Sequence, residues 1–388
     1  MKYNFPIIKN VDDILPVIEG LEEFGCFDRG GYLIANYVVR FAETFPAVNS
    51  VEDAIRRECR GITFDMNTGD IIRRPYHKFF NINEIAETQD HLVDTNAPHF
   101  VLEKMDGSMF SPFVLSGEIV WGTKMGITDV SEPARRFVQA NPRYIKLAQE
   151  VIEAGATPIF EWCSRTNRIV IDHPVDRLVL TAIRNMVDGM YWSYTDMLNV
   201  CEKHNVPIVG HFDSVVDVRE FIAETKAMGD SEGHVMRFSD GHMLKFKSAW
   251  YCDIHSMKDK INSERKTVKM ILNAEIDDIK PFLPDLDRER LERYEMEFTE
   301  ALLEDVNKTL DVFEDLVATH VTRKEFALKV AYQYDGFHRG VFFEFWDRGL
   351  TFEAYYEKLV KLLAGDIANA KFKEYKEHIF PQVKFYEE

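Results

Sequence analysis

From about residue 256 the spacing of the large apolar residues changes, and that change restricts the chain to two dissimilar parts. Leu291, Tyr294, Phe298, Leu302, Val306, Leu310, Phe313 and Val317 step by three or four residues, which is the period of one face of an α-helix. The stripe predicts an amphipathic helix of unusual length. Helical periodicity also covers 323–334 and 351–376, punctuated by Gly336, Gly340 and Gly349. Upstream, apolar residues come in short runs that end in turn formers, as in strands. With 388 residues the chain has material for two domains. The expected architecture is α+β: an antiparallel-rich domain over 1–255, a boundary within 253–262, and an all-helical domain over 256–388.

Residues 1–58 read as a small α+β region with turns such as Asp28-Arg29-Gly30-Gly31, followed by a strand over 58–65 with Arg60-Gly61 at its entrance. Residues 71–81 set Tyr76, Phe79 and Phe80 beside Arg73, Arg74, His77 and Lys78. That is either a half-buried edge strand with solvated charges or a stacking aromatic beside phosphate-binding cations. Residues 100–110 read as strand, tight turn, strand, with Lys104-Met105-Asp106-Gly107 at the turn. A hairpin turn at Ser116-Gly117-Glu118 returns a strand carrying Lys124. One helix is expected over 131–155, with Ser131 as N-cap and Gly155 just past its end. In the strand over 158–162, alternation turns Phe160 and Trp162 one way and Glu161 the other. Residues 166–171 and 178–184 continue the sheet pattern, and helices follow over 193–204 and 215–228. The last hairpin runs 232–248 around Asp240-Gly241, with Lys245 and Lys247 on one face and Phe246 on the other. Two lysines side by side on a strand face repel unless an anion lies between them.

Composition closes off several classes. No run of 18 apolar residues occurs and the N-terminus has no apolar signal-peptide core, so no membrane association is expected. Five scattered cysteines without a C-x-x-C pair read as free thiols in a reducing compartment, the cytoplasm. Taken at face value, the net charge of −18 argues against nucleic acid as a partner. Its distribution is uneven: carboxylates crowd the C-terminal third, while cations recur beside the motifs upstream. A cationic cleft on an acidic body fits a phosphate chain held at one place.

A lysine attacks only as the free amine, and free lysine titrates near about 10.4, so a nucleophilic Lys104 needs burial or neighbouring cations. Arg60, Lys78, Lys124, Lys245 and Lys247, lining one cleft, would supply those cations and offset a triphosphate. Glu161 and Glu232 would hold a divalent ion, which reacting polyphosphates require. Such a set does phosphoryl or nucleotidyl transfer onto the lysine itself.

Lys104-Met105-Asp106-Gly107-Ser108, Phe160-Glu161-Trp162, Glu232-Gly233 and Lys245-Phe246-Lys247-Ser248 resemble, in order, the motifs of covalent nucleotidyltransferases, the DNA ligases, RNA ligases and capping enzymes. Glu58-Cys59-Arg60-Gly61-Ile62, Lys78-Phe79-Phe80-Asn81, Thr166-Asn167-Arg168-Ile169-Val170 and Lys247-Ser248-Ala249-Trp250-Tyr251 narrow the resemblance to the bacteriophage RNA ligase 1 family, over about residues 50–260. The resemblance implies a nucleotidyltransferase (ATP-grasp-like ligase) domain and a helical domain in place of an OB-fold. It implies ATP and Mg2+ as cofactors, with Mn2+ as a substitute. The implied partner is single-stranded RNA, with tRNA or single-stranded DNA as variants, met by a monomer in the cytoplasm (of the host, for a phage protein). Lys104 would be adenylated, and Arg60, Lys78, Lys124, Lys245 and Lys247 would contact phosphates. Phe80 would lie near adenine, Glu161 on the ribose or a hydrated metal, and Glu232 on the metal. Tyr251 belongs to the nucleotide site, and Asp277 and Asp278 resemble an acidic pair that helps hold the metal. The chain departs from the family at Gly122, where a second lysine can stand. Other expectations are a DNA ligase or capping enzyme, or a non-catalytic nucleotide sensor; the intact lysine set and the helical tail weigh against them.

Overall fold

A computed structural model describes residues 4–386 except 40, 42, 129, 130, 284, 321, 335 and 366, with the backbone alone at 278 and 282. It divides into two compact units, Met1–Asp253 and Ile254–Glu388.

The first unit is built on three sheets. Strands β1 (Phe24–Asp28), β2 (Tyr32–Tyr37), β3 (Arg60–Asp65) and β4 (Ile71–Arg73) form an antiparallel meander. The next strands are β5 (Phe80–Asn81), β6 (His99–Glu103), β7 (Ser108–Leu115), β8 (Glu118–Gly122), β9 (Ala156–Cys163) and β10 (Arg177–Asn185). The last are β11 (His211–Phe212), β12 (Gly233–Phe238) and β13 (Met243–Lys247). The second sheet has the order β10-β9-β7-β8 and the third β11-β6-β12-β13-β5, in which only β13 and β5 run parallel. The second sheet buries Phe160 and Trp162 against Tyr144, Leu147 and Met197 of the helices at its back. The third buries Val101, Met236 and Phe246 under helix Val218–Ala227.

Local chemistry accounts for the turns. Ser116 and Gly117 both take positive φ (52° and 82°), the pair of left-handed residues that a two-residue hairpin between twisted strands requires. The β12–β13 hairpin closes through Gly241 at φ 90°, with Phe238 N donating to His242 O at 2.9 Å.

In the first unit four expectations change. Residues 103–108 are no hairpin: β6 and β7 belong to different sheets, and Lys104–Gly107 crosses between them. A Cβ on Gly107 would run into the Trp162 carbonyl and the Glu161 side chain, so only glycine lets the crossover pass so close to β9. Residues 166–171 are not a strand but a short 3-10 turn, Arg165–Asn167, and irregular chain. The expected helix over 131–155 is two, Glu132–Ala140 and Pro142–Glu153, because Pro142 brings no N–H to continue the first but suits the start of the second. Ser131 does not cap it; its hydroxyl donates to Thr128 O at 2.6 Å.

The second unit is helical in its described residues. Helix Asp285–Thr319 runs 35 residues and buries Tyr294, Phe298, Leu302, Val306 and Phe313, as the apolar stripe predicts. Residues 351–376 split at Gly365 into Phe352–Ala364 and Asn369–Ile379, and Gly340 lies inside helix Gly336–Phe345 rather than between helices. All five cysteines are free, and no helix among the described residues is long and apolar enough to cross a membrane.

Candidate functional site

Five cations from five separate segments converge in the first unit. Arg60 opens β3, Lys78 precedes β5, Lys104 follows β6, Lys124 follows β8, and Lys245 lies on β13. Lys245 reports their proximity: burial first, then the charges of Arg60, Lys78 and Lys104, hold its amine well below the ordinary lysine range. Burial and Arg60 likewise lower Lys124.

Aromatic rings floor the cluster. Lys245 Nζ lies 4.5 Å above the Phe79 ring, Lys124 Nζ 4.5 Å above Tyr37, and Lys78 Nζ 5.0 Å above Phe80. Such contacts fix an ammonium group while leaving its N–H bonds free to point elsewhere. Arg60 Nη1 is buried without a hydrogen-bond partner among the described residues. A buried guanidinium N–H left unpaired costs roughly 1–3 kcal/mol or more, and an anion oxygen would remove that cost.

Register places the carboxylates at the edge of the cluster. Glu232 immediately precedes β12, and Lys104 N donates to Gly233 O at 2.9 Å. This brings Lys104 Nζ to 2.6 Å from Glu232 Oε1, with Lys247 Nζ 3.6 Å from the same oxygen. The nearest charge to the Lys104 amine is thus a carboxylate, and the cationic crowding expected for it is strongest at Lys245. Glu161, on β9, is pushed up to about 8 by burial; Glu232 and Asp106 add to the rise, while Lys104 and Arg60 oppose it. The alternation expected of β9 holds, since Phe160 and Trp162 enter the core.

Burial and sterics bear on two further positions. Phe80 is 1% exposed, packed on Phe45 at 6.1 Å beneath Lys78 and Arg57. Its ring has no open face for a base; it supports the cations. At Gly122 a Cβ would lie 2.7 Å from Gly126 C and 2.9 Å from its O, because Thr123 and Gly126 exchange backbone hydrogen bonds at 3.0 Å. That tight loop excludes a second lysine beside Lys124.

Sequence reasoning missed what Asp106 does. Its carboxylate accepts from Val170 N at 2.8 Å, Ile171 N at 2.6 Å and the Tyr251 hydroxyl at 2.8 Å. Asn167 Nδ2 adds a bond to Ser108 Oγ at 2.8 Å. The crossover bearing Lys104 is thereby tied to the 164–173 loop and to Tyr251, whose phenol burial raises and keeps protonated. The only local hint was an acidic residue beside a lysine that needs rigid placement.

Glu161 and Glu232 suit a divalent ion that takes one or two carboxylates and completes its shell from substrate phosphates and water. Among the described residues no preassembled group of three or more His, Cys, Asp or Glu exists. Asp277 lies in the helical unit with its side chain 79% exposed and 2.8 Å from Lys280 Nζ, and the side chain of Asp278 falls outside the described residues.

Comparison with known proteins places the chain in a family. A family model described as RNA ligase matches residues 58–251, half of the chain, and the chain belongs to that family. Among relatives, a provisionally named RNA ligase of Thermovibrio ammonificans is 29% identical over 256 residues, 63% of this chain and 65% of the relative. RNA ligase 1 of bacteriophage TS2126 is 28% identical over 144 residues, 35% of this chain and 36% of its own. The chain therefore spans just under two thirds of the first relative and about one third of the second. A solved archaeal ATP-dependent RNA ligase is 14% identical and superimposes over 87% of this chain and 96% of its own, with a TM-score of 0.46.

Proposed function

We propose that the protein is an ATP-dependent RNA ligase acting through Lys104. The observation that carries this reading is the cluster itself: Arg60, Lys78, Lys124 and Lys245 gathered beside a lysine whose amine already has a proton acceptor, with Arg60 Nη1 buried and unpaired. Relatives named as RNA ligases support the substrate class.

In the first step Lys104 Nζ attacks the α-phosphorus of ATP, forming a P–N bond as the bond to pyrophosphate breaks. The amine's proton has Glu232 Oε1 as acceptor at 2.6 Å. Arg60, Lys78 and Lys245 offset charge on the phosphates, where fixed donors lower the barrier most. In the second, an oxygen of an RNA 5′-phosphate attacks the same phosphorus and lysine leaves, giving 5′-adenylated RNA. In the third, an RNA 3′-hydroxyl attacks the 5′-phosphate, forming the phosphodiester and expelling AMP. When bound through Glu232 and Glu161, Mg2+ or Mn2+ neutralises phosphate charge. Single-stranded RNA is the substrate class; a monomer in the cytoplasm is the working state we propose, with 1–255 as the adenylyltransferase domain and 256–388 as its helical partner.

The experiment is incubation with α-labelled ATP and the metal, then denaturation. The wild-type chain should retain label and Lys104→Ala should retain none. Label persisting in Lys104→Ala would remove this nucleophile, and an unlabelled wild-type chain would leave a nucleotide-binding protein instead.

A further inference from the structure

Away from the cation cluster, a cavity of about 450 Å3 opens wholly within the helical unit. It lies between the start of helix Asp285–Thr319 and the segment 382–386. Arg290, Arg293 and Glu297 line it from one face of that helix, and Gln382, Lys384 and Tyr386 line it from the other side. Among the described lining residues three cations face one carboxylate, the reverse of the surrounding charge, since the same stretch of helix carries Asp285, Asp287, Glu289, Glu292 and Glu295.

The partners of neighbouring cations sharpen the contrast. Arg288 pairs with Asp285 at 2.6 Å, Lys280 with Glu295 at 2.7 Å and Lys258 with Asp287 at 3.1 Å. Arg290 and Arg293 form no ion pair among the described residues, although carboxylates are abundant along the helix. Two arginines lining one cavity bring guanidinium forks of the kind that matches phosphate oxygens. The volume falls within the range of about 300–1,000 Å3 of small-ligand sites, larger than a bare phosphate needs and adequate for one nucleotide. The Gln382 amide offers both a donor and an acceptor for a base edge. Burial pushes Tyr386 up to about 12, so its hydroxyl stays protonated beside the anion.

We infer that this cavity holds one nucleotide of a single-stranded RNA, its phosphate on Arg290 and Arg293, as a binding site additional to the cation cluster around Lys104. The inference rests on the RNA ligase reading for the choice of RNA. Glu297, at one end of the cavity, would repel phosphate there and confine it to the Arg290 end.

The test uses the full chain and a fluorescent 12-nucleotide RNA with a 5′-hydroxyl, which cannot be adenylated, so binding is read apart from catalysis. Anisotropy titrations at several salt concentrations compare the wild-type chain with Arg290→Ala/Arg293→Ala. The double variant should bind about tenfold more weakly, with a salt slope shallower by roughly 0.7 per lost phosphate contact, while covalent adenylation from ATP stays within about twofold. Arg293→Glu is the second variant and should weaken RNA binding more than Arg293→Ala. Wild-type affinity and slope in the double variant, or equal affinity in Arg293→Glu and Arg293→Ala, would overturn the site. Displacement of the RNA by millimolar AMP from the wild-type chain but not from the double variant would also overturn it, making the cavity a mononucleotide site. A wild-type chain that binds RNA through these arginines yet forms no covalent adenylate would overturn the ligase reading alone.

Discussion

Lys104 just past β6 and Lys245 on β13 lie on either side of β12, yet their surroundings are opposite. Lys104 is one-fifth exposed and touches a carboxylate at 2.6 Å. Lys245 is withdrawn from water, laid on Phe79, and ringed by Arg60, Lys78 and Lys104 itself. The difference teaches that a cation cluster need not act most strongly on the residue that reacts. One lysine is presented with a proton acceptor; the other stores electrostatic strain that a polyphosphate would relieve.

The largest expected effect that tests this contrast is on rate. Lys245→Ala should slow lysine adenylation roughly a hundred- to a thousandfold, the cost of about 2.7–4 kcal/mol for one well-placed charge-assisted donor. It should keep measurable sealing of pre-adenylated RNA, which skips the first step. Lys247→Ala, already paired with Glu232 at 3.6 Å, should lose less. Single-turnover rates with each substrate decide it; both variants within a few fold of wild type on both would show the lysine pair to be a solvated strand face.

A proton count sharpens the comparison further. Above its lowered pKa, Lys245 is neutral in the free protein, and a bound triphosphate favours the charged form. Nucleotide binding above that lowered pKa should therefore take up a fraction of a proton through this residue, and affinity should fall as pH rises through that pKa. Calorimetry in buffers of different ionisation enthalpy measures the uptake. Lys245→Arg, charged throughout, should show less uptake than wild type; equal uptake would place the titrating group elsewhere.

The last prediction concerns stability and Glu161. Its folded carboxyl, near 8 against an ordinary 4.5, holds a proton that the unfolded chain releases. Stability from this group is complete below about 4.5 and is lost as pH rises through about 8, at most about 1.4 kcal/mol per pH unit. Glu161→Gln should flatten the melting temperature of the metal-free protein between pH 5 and 9. Superimposable profiles for the two proteins would mean that the Glu161 carboxyl is not held protonated.

Periodic features were legible in the sequence because they are local. The stripe from Leu291 to Val317 predicts the long helix, and Asp240-Gly241 between alternating runs predicts the β12–β13 hairpin with Lys245 and Lys247 on one face. Asp106-Gly107 carries the same dipeptide and joins two sheets instead, because Asp106 is taken by amides more than sixty residues away. Local turn preference says that the chain bends, not which strand the bend leads to. Phe79 and Phe80 show the same limit: adjacent rings must point apart, but which supports Lys245 and which enters the core depends on β5 lying parallel to β13. The candidate cations were nameable because charged residues beside motifs are visible one at a time. The pairing of Lys104 with Glu232 was not, since it comes from the register of β6 on β12.

The carboxylate of Asp106 has a consequence for anyone who would re-engineer this protein. The 164–173 loop looks like a detachable module, bounded by β9 and β10 and varied without touching either strand. It is not one, because its amides at 170 and 171 terminate on a residue of the β6–β7 crossover that also receives Tyr251. A loop transplanted from a relative would have to travel with two distant stretches of chain, and a library built on the loop alone would mostly sample misaligned versions of Lys104.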